Sequence, residues 1–136
     1  MTAFRACLVR APAKVNLYLE VGGLRNDGFH DVDTLFQAVS LWDQVRVERV
    51  ASGVSLTVLG PDLGPADDNL AVRAARLFLD EVVSREGVAL ELTKGIPAGA
   101  GLGGGSSDAA AVLRGMNHLW DRPVSPRRLA GMAASL

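Results

Sequence analysis

A glycine-rich segment, residues 97–111, holds the residue types in this chain best suited to binding an anion. Five glycines fall within the seven residues 99–105, and Ser106, Ser107 and Asp108 follow them directly. Glycine lets the backbone adopt positive φ and approach a ligand closely, while Ser-Ser-Asp before an alanine run is typical of a helix N-terminus. A glycine loop that opens a helix directs free N–H groups and the positive end of the helix dipole at an anion. The segment therefore predicts a site for a phosphorylated ligand.

Other phosphate-binding loops fit this segment less well. The P-loop requires a lysine after its last glycine, and the nearest lysine, Lys94, precedes the glycines. The dinucleotide fingerprint is met by Gly99, Gly101 and Gly104, but no strand ending in an acidic residue follows the predicted helix. The protein-kinase loop lies between two strands and precedes Val-Ala-Ile-Lys, and neither condition is met. The segment could instead be a flexible connector with a helix cap that binds no ligand. Ordering so many glycines is costly in conformational entropy, which argues against a mere connector.

Together with four further motifs, the glycine-rich segment resembles the GHMP kinases (galactokinase, homoserine, mevalonate and phosphomevalonate kinases). Their motif reads roughly Pro-x-Gly-x-Gly-Leu-Gly-Ser-Ser-Ala, and this chain adds a pair of glycines and has Asp108 after the serine pair. The other motifs occur in the family's order: Ala11-Pro12-Ala13-Lys14-Val15-Asn16-Leu17, Asp27-Gly28-Phe29-His30, Thr34-Leu35-Phe36-Gln37 and Asp68-Asn69-Leu70-Ala71-Val72-Arg73-Ala74-Ala75. With Asn117-His118-Leu119-Trp120, they extend the resemblance over nearly all 136 residues.

The resemblance implies an ATP-dependent kinase that uses Mg²⁺. Within the family it is strongest to the branch that phosphorylates the 2-hydroxyl of a cytidine-diphosphate-linked methylerythritol in non-mevalonate isoprenoid precursor synthesis. It implies ATP contacts at Asn69, Lys94, Pro97, Gly99, Gly101, Leu102, Gly103, Gly104, Gly105, Ser106 and Ser107. Asn69 and Lys94 match residues near adenine, and Asn69 can also simply begin or cap a helix. Ser106 or Ser107 could ligate Mg²⁺ through its hydroxyl oxygen, while either one could instead cap the helix.

The acceptor side of the site is implied by the remaining motifs. Lys14 matches a lysine that lies beside the accepting hydroxyl and stabilises charge there, although a strand lysine is usually only a solvated edge charge. Asn16 lies on the same strand face and is expected to shape that pocket. Phe29 and His30 match the pair that binds cytosine by stacking and by hydrogen bonding, with Phe29 where tyrosine is usual. Phe36 is expected to add an apolar wall, and core packing explains it nearly as well.

Several polar residues are given ordinary roles instead. One predicted turn carries four side chains whose spacing matches no standard metal motif: Asp27, His30, Asp31 and Asp33. His118 is expected to be an ordinary helix residue. Asp108 falls in the predicted first turn of a helix, where the dipole favours an acid, so it is not assigned as the general base. The family's base is an aspartate in a Gly-x-Asp-Val-Pro segment expected just after Leu136, and residues 1–136 alone are therefore expected to be inactive.

Composition places this chain among ordinary globular proteins. The formal net charge is −1, which suggests neither a nucleic acid nor a membrane as partner. Cys7 is the single cysteine, so a disulfide within the chain is excluded and a reducing cytoplasmic setting fits. The N-terminal residues lack the apolar stretch of a signal peptide, and no apolar run approaches the length that spans a membrane.

The elements that must position these residues can be predicted from hydrophobic periodicity. Strands are expected at Cys7–Val9, Val15–Val21, Val45–Val50, Val54–Leu59 and Val88–Leu92, with turns at Ala11–Ala13, Asn26–Gly28 and Ser52–Gly53. Asp67 or Asp68 is expected to cap a helix with Leu70, Ala74, Leu77, Phe78 and Val82 on one face. A second helix should bury Ala109, Val112, Leu113, Met116, Leu119 and Trp120, and a third should cover residues 127–136.

Strands followed by helices predict an α+β two-layer sandwich. The family resemblance implies the fold shared with the second domain of ribosomal protein S5, the GHMP kinase N-terminal domain. On this basis residues 1–136 are interpreted as an incomplete N-terminal domain without the family's ferredoxin-like C-terminal domain. Two alternatives to the kinase stay open: a non-catalytic nucleotide-binding module and another member of the GHMP kinases.

Overall fold

Residues 4–136, which the computed structural model describes, form one mixed sheet and a layer of helices. The strands are β1 (Ala6–Leu24), β2 (His30–Val50), β3 (Val54–Leu59) and β4 (Gly87–Thr93), and the α-helices are α1 (Leu70–Glu81), α2 (Gly104–Leu119) and α3 (Pro126–Ala134). The sheet order is β1-β2-β4-β3. β2 pairs antiparallel with β1 and β4, and β3 pairs parallel with β4. The predicted α+β sandwich is confirmed.

The core lies between the inward face of the sheet and the helices α1 and α2. Val45 and Val47 of β2 alternate with exposed or half-buried residues, as predicted for a strand with one face in the core. Phe78 of α1 and Met116 of α2 are fully buried against them. The predicted helix faces are confirmed, with Ala74, Phe78, Ala109, Val112, Leu113, Met116 and Leu119 buried and Leu70, Leu77, Val82 and Trp120 partly buried on the core.

Gly115 lets α2 lie close to the sheet. A Cβ at this position would come within 2.9 Å of Val47 Cγ2 and 3.1 Å of Val9 Cγ2. A larger residue would push the helix outwards, because packed interiors leave no space for an added carbon. The small residue therefore fixes the height of α2 above β1 and β2, and with it the position of the helix N-terminus.

The turn predicted at Ala11–Ala13 is wrong, because β1 continues through it as a single strand. Ala11 and Ala13 are fully buried and alternate with exposed Pro12. Proline donates no hydrogen bond and is tolerated on an edge strand, and β1 is at the edge of the sheet. The irregularity appears instead in the pairing, whose register shifts between Pro12 and Lys14.

Both predicted helix starts differ from the structure. Asp67 and Asp68 belong to a short 3₁₀ turn (Ala66–Asp68), and Asn69 caps α1 by accepting a hydrogen bond from the Ala71 N–H at 2.9 Å. The N-cap of α2 is Gly103, with φ of 71° and no side-chain cap. Ser106 and Ser107 therefore lie within the first turn and do not cap it, and Asp108 follows that turn. The third predicted helix is confirmed as α3, capped by Ser125.

The outer part of the β1–β2 hairpin, residues 16–36, extends beyond the helices and is called the ribbon here. Its tip is the predicted turn, in which Gly28 has φ of 84° and Asp27 accepts a hydrogen bond from the Phe29 N–H. Large apolar side chains of the ribbon are 53–71% exposed: Leu17, Leu19, Val21, Leu24, Phe29, Val32, Leu35 and Phe36. Within residues 4–136, no helix is long and apolar enough to cross a membrane.

Candidate active site

The glycine loop joins β4 to α2 through a backbone that alternates into the left-handed region. Gly99, Gly101 and Gly103 have φ of 69°, 73° and 71°. At Gly99 and Gly101 a Cβ would meet nothing within 4 Å, so glycine is needed there for conformation and the space beside the loop stays open. Side chains other than glycine, asparagine and aspartate adopt such φ values only with strain.

The first N–H groups of α2, which follow the glycine loop, have no hydrogen-bond acceptor within the helix. The helix ladder begins when the Ser107 N–H donates to the Gly103 carbonyl at 3.0 Å. The N–H groups of Gly104, Gly105 and Ser106 precede that bond and have no acceptor within the helix. Together with the positive end of the helix dipole, they form a site suited to an anion.

A cavity of about 370 Å³ lies against this helix terminus. It is lined by Leu63, Asn69, Leu70, Lys94, residues 97–106 and Asp108. Every position predicted to contact ATP therefore lines this cavity except Ser107. The side chain of Ser106 is exposed and lines the cavity, so Ser106 fits the predicted magnesium ligand better than Ser107 does.

Lys94 lies beneath the loop in a buried network with two carboxylates. Its Nζ is 2.5 Å from Asp43 Oδ2 and 3.1 Å from Asp108 Oδ2. Asp43 Oδ1 accepts the N–H groups of Gly95 and Ile96 at 2.6 Å and 2.8 Å. The network thus ties β2, the start of the glycine loop and α2 to one another, and Asp108 has this role rather than the dipole role expected of it.

The electrostatics of the network are dominated by burial. Burial, and then the neighbouring Asp43 carboxyl, raise the pKa of Asp108 to about 7, with only partial compensation from Lys94. Burial also acts on Asp43, but Lys94 and the backbone N–H groups outweigh it and lower the pKa of that carboxyl. Asp108 Oδ1 is buried and has no hydrogen-bond partner within the described chain. With two carboxylates beside one ammonium, this network offers no net positive charge to a phosphate.

Sequence reasoning missed Asp43, although the strand pattern contained a signal for it. Side chains alternate between the two faces of a strand, so Asp43 lies on the same face of β2 as Val45 and Val47, which face the core. An acid at an inward position of a strand must find a buried partner. The partner, Lys94, is 51 residues away in sequence, so its identity could not be read from local spacing.

Lys14 supplies the positive charge beside the helix terminus. Its backbone N–H donates to the Leu102 carbonyl at 2.9 Å, which ties β1 to the loop. Its Nζ donates to Asn16 Oδ1 at 2.8 Å and lies 5.0 Å from the centre of the Phe36 ring. No carboxylate of residues 4–136 lies within 4.0 Å of this ammonium. The predicted grouping of Lys14 with Asn16, and with the glycine loop, is present in the structure.

Phe29 and His30 lie at the tip of the ribbon and are not in contact with Lys14. Phe29 is 71% exposed, and His30 Nδ1 is 3.1 Å from the Gly22 carbonyl oxygen. The two register shifts between Phe36 and His30 both place the extra residue on β1. β2 therefore keeps its alternation there, and His30 and Phe36 share one face. Six residues of extended strand separate them by roughly 20 Å.

The family model for the GHMP kinases N terminal domain matches residues 69–136, half of the 136 residues. The matched part runs from the cap of α1 through β4, the glycine loop and α2 to the end of α3. The chain belongs to the GHMP kinase family. The family predicted from the motifs is therefore confirmed.

Three relatives show what this member of the GHMP kinases is similar to. A 4-diphosphocytidyl-2-C-methyl-D-erythritol kinase of Prochlorococcus marinus (strain MIT 9313) is 50% identical over 94% of this chain and 41% of its own length. A crystal structure of 4-(cytidine 5'-diphospho)-2C-methyl-D-erythritol kinase matches with TM-score 0.79 and 46% identity, covering 93% of this chain and 46% of that one. A homoserine kinase from Cytophaga hutchinsonii matches with TM-score 0.77 and 25% identity, covering 99% and 42%. This chain therefore spans less than half the length of these relatives.

Proposed function

We propose that the protein containing this chain is an ATP-dependent kinase that phosphorylates the 2-hydroxyl of 4-diphosphocytidyl-2-C-methyl-D-erythritol, a step of non-mevalonate isoprenoid precursor synthesis. The observation that carries the proposal is the contact between Lys14 and the glycine loop. Within residues 4–136 the Lys14 ammonium has no carboxylate partner, and the lysine side chain lies beside Gly103, the N-cap of α2. Phosphoryl transfer requires chiefly positioning and neutralisation of charge, and this arrangement is suited to both.

Each part of the site then has a distinct task. The N–H groups of Gly104, Gly105 and Ser106 hold phosphate oxygens. Asn69 also lines the cavity and, as the family resemblance implies, would lie near the base of the nucleotide. Lys14 stabilises negative charge where the accepting hydroxyl loses its proton. Mg²⁺ bound with ATP would neutralise phosphate charge, and Ser106, which lines the cavity, would hold it through its hydroxyl. The side chain of Lys94, occupied by two carboxylates, holds the loop in place.

The substrate class follows from the ribbon and from the names of the relatives. His30 and Phe36 share one face of β2, and Phe36 contacts the Lys14 ammonium. An elongated acceptor lying along that face would have its base at Phe29 and His30 and its alcohol at Lys14. Aromatic faces stack on bases, and imidazole can donate to or accept from a base edge. A small acceptor without a base would leave the tip of the ribbon unused.

The test is a phosphorylation assay of the full-length protein with two acceptors. With ATP and Mg²⁺, 4-diphosphocytidyl-2-C-methyl-D-erythritol should be phosphorylated with a kcat/KM at least about a hundredfold above that of free methylerythritol phosphate, the scale of a lost base-binding subsite. Equal turnover of both acceptors would contradict the cytidine assignment. Tight ATP binding without turnover of any alcohol would instead support a non-catalytic nucleotide-binding module.

Residues 1–136 by themselves are proposed to be inactive. Asp108 is buried and bonded to Lys94, so it is not placed to accept a proton from an alcohol, and Asp43 is equally buried. The family's general base is expected beyond Leu136, and loss of such a base typically lowers rates by about 10²–10⁴-fold. Turnover by purified residues 1–136 within tenfold of the full-length rate would refute this expectation.

A further inference from the structure

A chain of hydrogen bonds leads from Lys14 back into the ribbon and ends on the backbone. Lys14 Nζ donates to Asn16 Oδ1 at 2.8 Å, and Asn16 Nδ2 donates to Thr34 Oγ1 at 2.8 Å. Thr34 Oγ1 in turn donates to the Tyr18 carbonyl oxygen, also at 2.8 Å. The family resemblance gives Thr34 no role of its own, so the function of this side chain is open.

Each bond in the chain has only one possible direction. A carbonyl oxygen can only accept, so Thr34 commits its single hydroxyl proton to Tyr18. Oγ1 then offers only lone pairs to Asn16, which must present its Nδ2 donors to Thr34. The amide consequently turns Oδ1 towards Lys14, whose ammonium can only donate. Without the Thr34 hydroxyl, the amide would keep only its bond to the ammonium and would lose the bond that anchors it, through Thr34, to the backbone.

A bulge in β1 lies where the last of these bonds forms. Asn16 pairs with Phe36 and Tyr18 with Leu35, so two steps along β1 oppose one step along β2. Bulges interrupt the ladder locally and redirect side chains, often next to active sites. Here the Tyr18 carbonyl accepts a side-chain hydroxyl.

Two independent contacts therefore fix the position of the ammonium. The Phe36 ring lies 5.0 Å from Nζ, and the amide held by Thr34 provides the acceptor on another side. A free lysine side chain carries about 2 kcal/mol of rotamer entropy, so an acceptor in a fixed orientation restricts the ammonium more than a rotating one does.

We propose that Thr34 is a positioning residue for phosphoryl transfer, which orients the Asn16 amide and through it holds the Lys14 ammonium beside the N-terminus of α2. The proposal rests on the proposed function, in which Lys14 stabilises charge at the accepting hydroxyl. Thr34 does not line the nucleotide cavity. Its loss should therefore lower kcat and leave ATP binding unchanged.

The experiment compares Thr34→Val, which keeps the branched shape but removes the hydroxyl, with Thr34→Ser, which keeps the hydroxyl. Valine is favoured in strands, and thermal unfolding verifies that each variant folds. If Thr34→Val does not fold, Thr34→Ala replaces it in the same comparison. In the full-length protein, Thr34→Val should lower kcat about tenfold or more, the scale for a residue that orients a functional group, with the KM for ATP within about twofold of wild type. Thr34→Ser should keep kcat within about threefold.

A second readout follows the hydrogen bond itself. In ¹⁵N–¹H spectra, the side-chain amide of Asn16, assigned by its loss in Asn16→Ser, should shift in Thr34→Val and stay in place in Thr34→Ser. If Lys14→Ala inactivates the protein but the single variant Thr34→Val keeps the wild-type kcat, the role of Thr34 is overturned and the proposed function stays intact. Wild-type kcat in Lys14→Ala would overturn the proposed role of Lys14 and that of Thr34 with it. An equal loss of kcat in Thr34→Ser and Thr34→Val would also refute the role of the hydroxyl.

Discussion

The aliphatic part of Lys14 packs directly against the backbone of Gly103, where α2 begins. A Cβ at Gly103 would lie 3.1 Å from Lys14 Cγ and 3.2 Å from Lys14 Cε. The lysine side chain thus occupies the space that a side chain at position 103 would fill, next to the N-cap of α2. Two parts of the site that are far apart in sequence are in this way brought next to each other.

Gly103→Ala should therefore reduce activity by displacing Lys14. Alanine at φ of 71° is strained, and its methyl group would in addition press on the lysine side chain. Gly101→Ala is the matched control, because φ is 73° there and a Cβ would meet nothing within 4 Å. We expect kcat to fall about tenfold further in Gly103→Ala than in Gly101→Ala, the scale of a small misplacement of a catalytic group. Equal kcat values in the two variants would show that the contact has no catalytic consequence.

His30→Ala should separate acceptor binding from ATP binding. His30 lies at the tip of the ribbon and does not line the cavity at the N-terminus of α2. We expect the KM for the cytidine-linked acceptor to rise about tenfold or more, since a lost hydrogen bond to a base costs about 1–3 kcal/mol when its partner is left unpaired. The KM for ATP should stay within about twofold. Steady-state kinetics with each substrate varied in turn measures both values, and an equal rise in the two would refute the cytosine assignment.

Asp108→Asn should alter how stability depends on pH. Asp108 has a pKa of about 7 in the folded protein, against 3.8 for an ordinary aspartate. Between these values the unfolded chain loses this proton while the folded protein keeps it, so stability falls as pH rises from about 4 to 7. The loss is complete above about pH 7. Asparagine resembles the protonated acid and removes the effect.

The free energy of unfolding of wild type should consequently fall relative to Asp108→Asn as pH rises from 4.5 to 8, by a few kcal/mol, since one pKa unit corresponds to about 1.4 kcal/mol. Urea unfolding of both full-length proteins across this range provides the measurement. Curves that stay parallel across this pH range would mean that Asp108 is ionised in the folded protein at pH 5.

Local sequence patterns were sufficient to predict the parts of the site that are continuous in sequence. The glycine loop, the helix after it and the Lys14–Asn16 pair depend on spacings of a few residues, and the structure contains each of them. The Asp43–Lys94 pair could not be predicted because the two residues meet only after β2 and β4 pair. The turn at Pro12 was predicted wrongly. Proline is tolerated on an edge strand, but whether a strand is at the edge depends on how the whole sheet is assembled, which local sequence does not show.

The start of α2 was predicted wrongly for a related reason. Serine and aspartate favour caps in general, but Gly103 in the left-handed region already turns the backbone into α2. That leaves Ser106 free to face the cavity. A capping pattern in the sequence thus coincided with a serine, Ser106, that lines the cavity.

The kcat of Lys14→Ala, measured with ATP and 4-diphosphocytidyl-2-C-methyl-D-erythritol in the full-length protein, tests the proposed catalytic arrangement most directly. Arg10→Ala is the matched control, because Arg10 is an exposed cation on the same strand that is stacked on Trp42 and does not line the cavity. Lys14→Ala should lower kcat by at least about a hundredfold, the scale of losing one charge-stabilising group, with ATP affinity nearly unchanged and Arg10→Ala close to wild type. A Lys14→Ala variant that keeps near-normal kcat would show that Lys14 is a structural residue and would contradict the proposed mechanism.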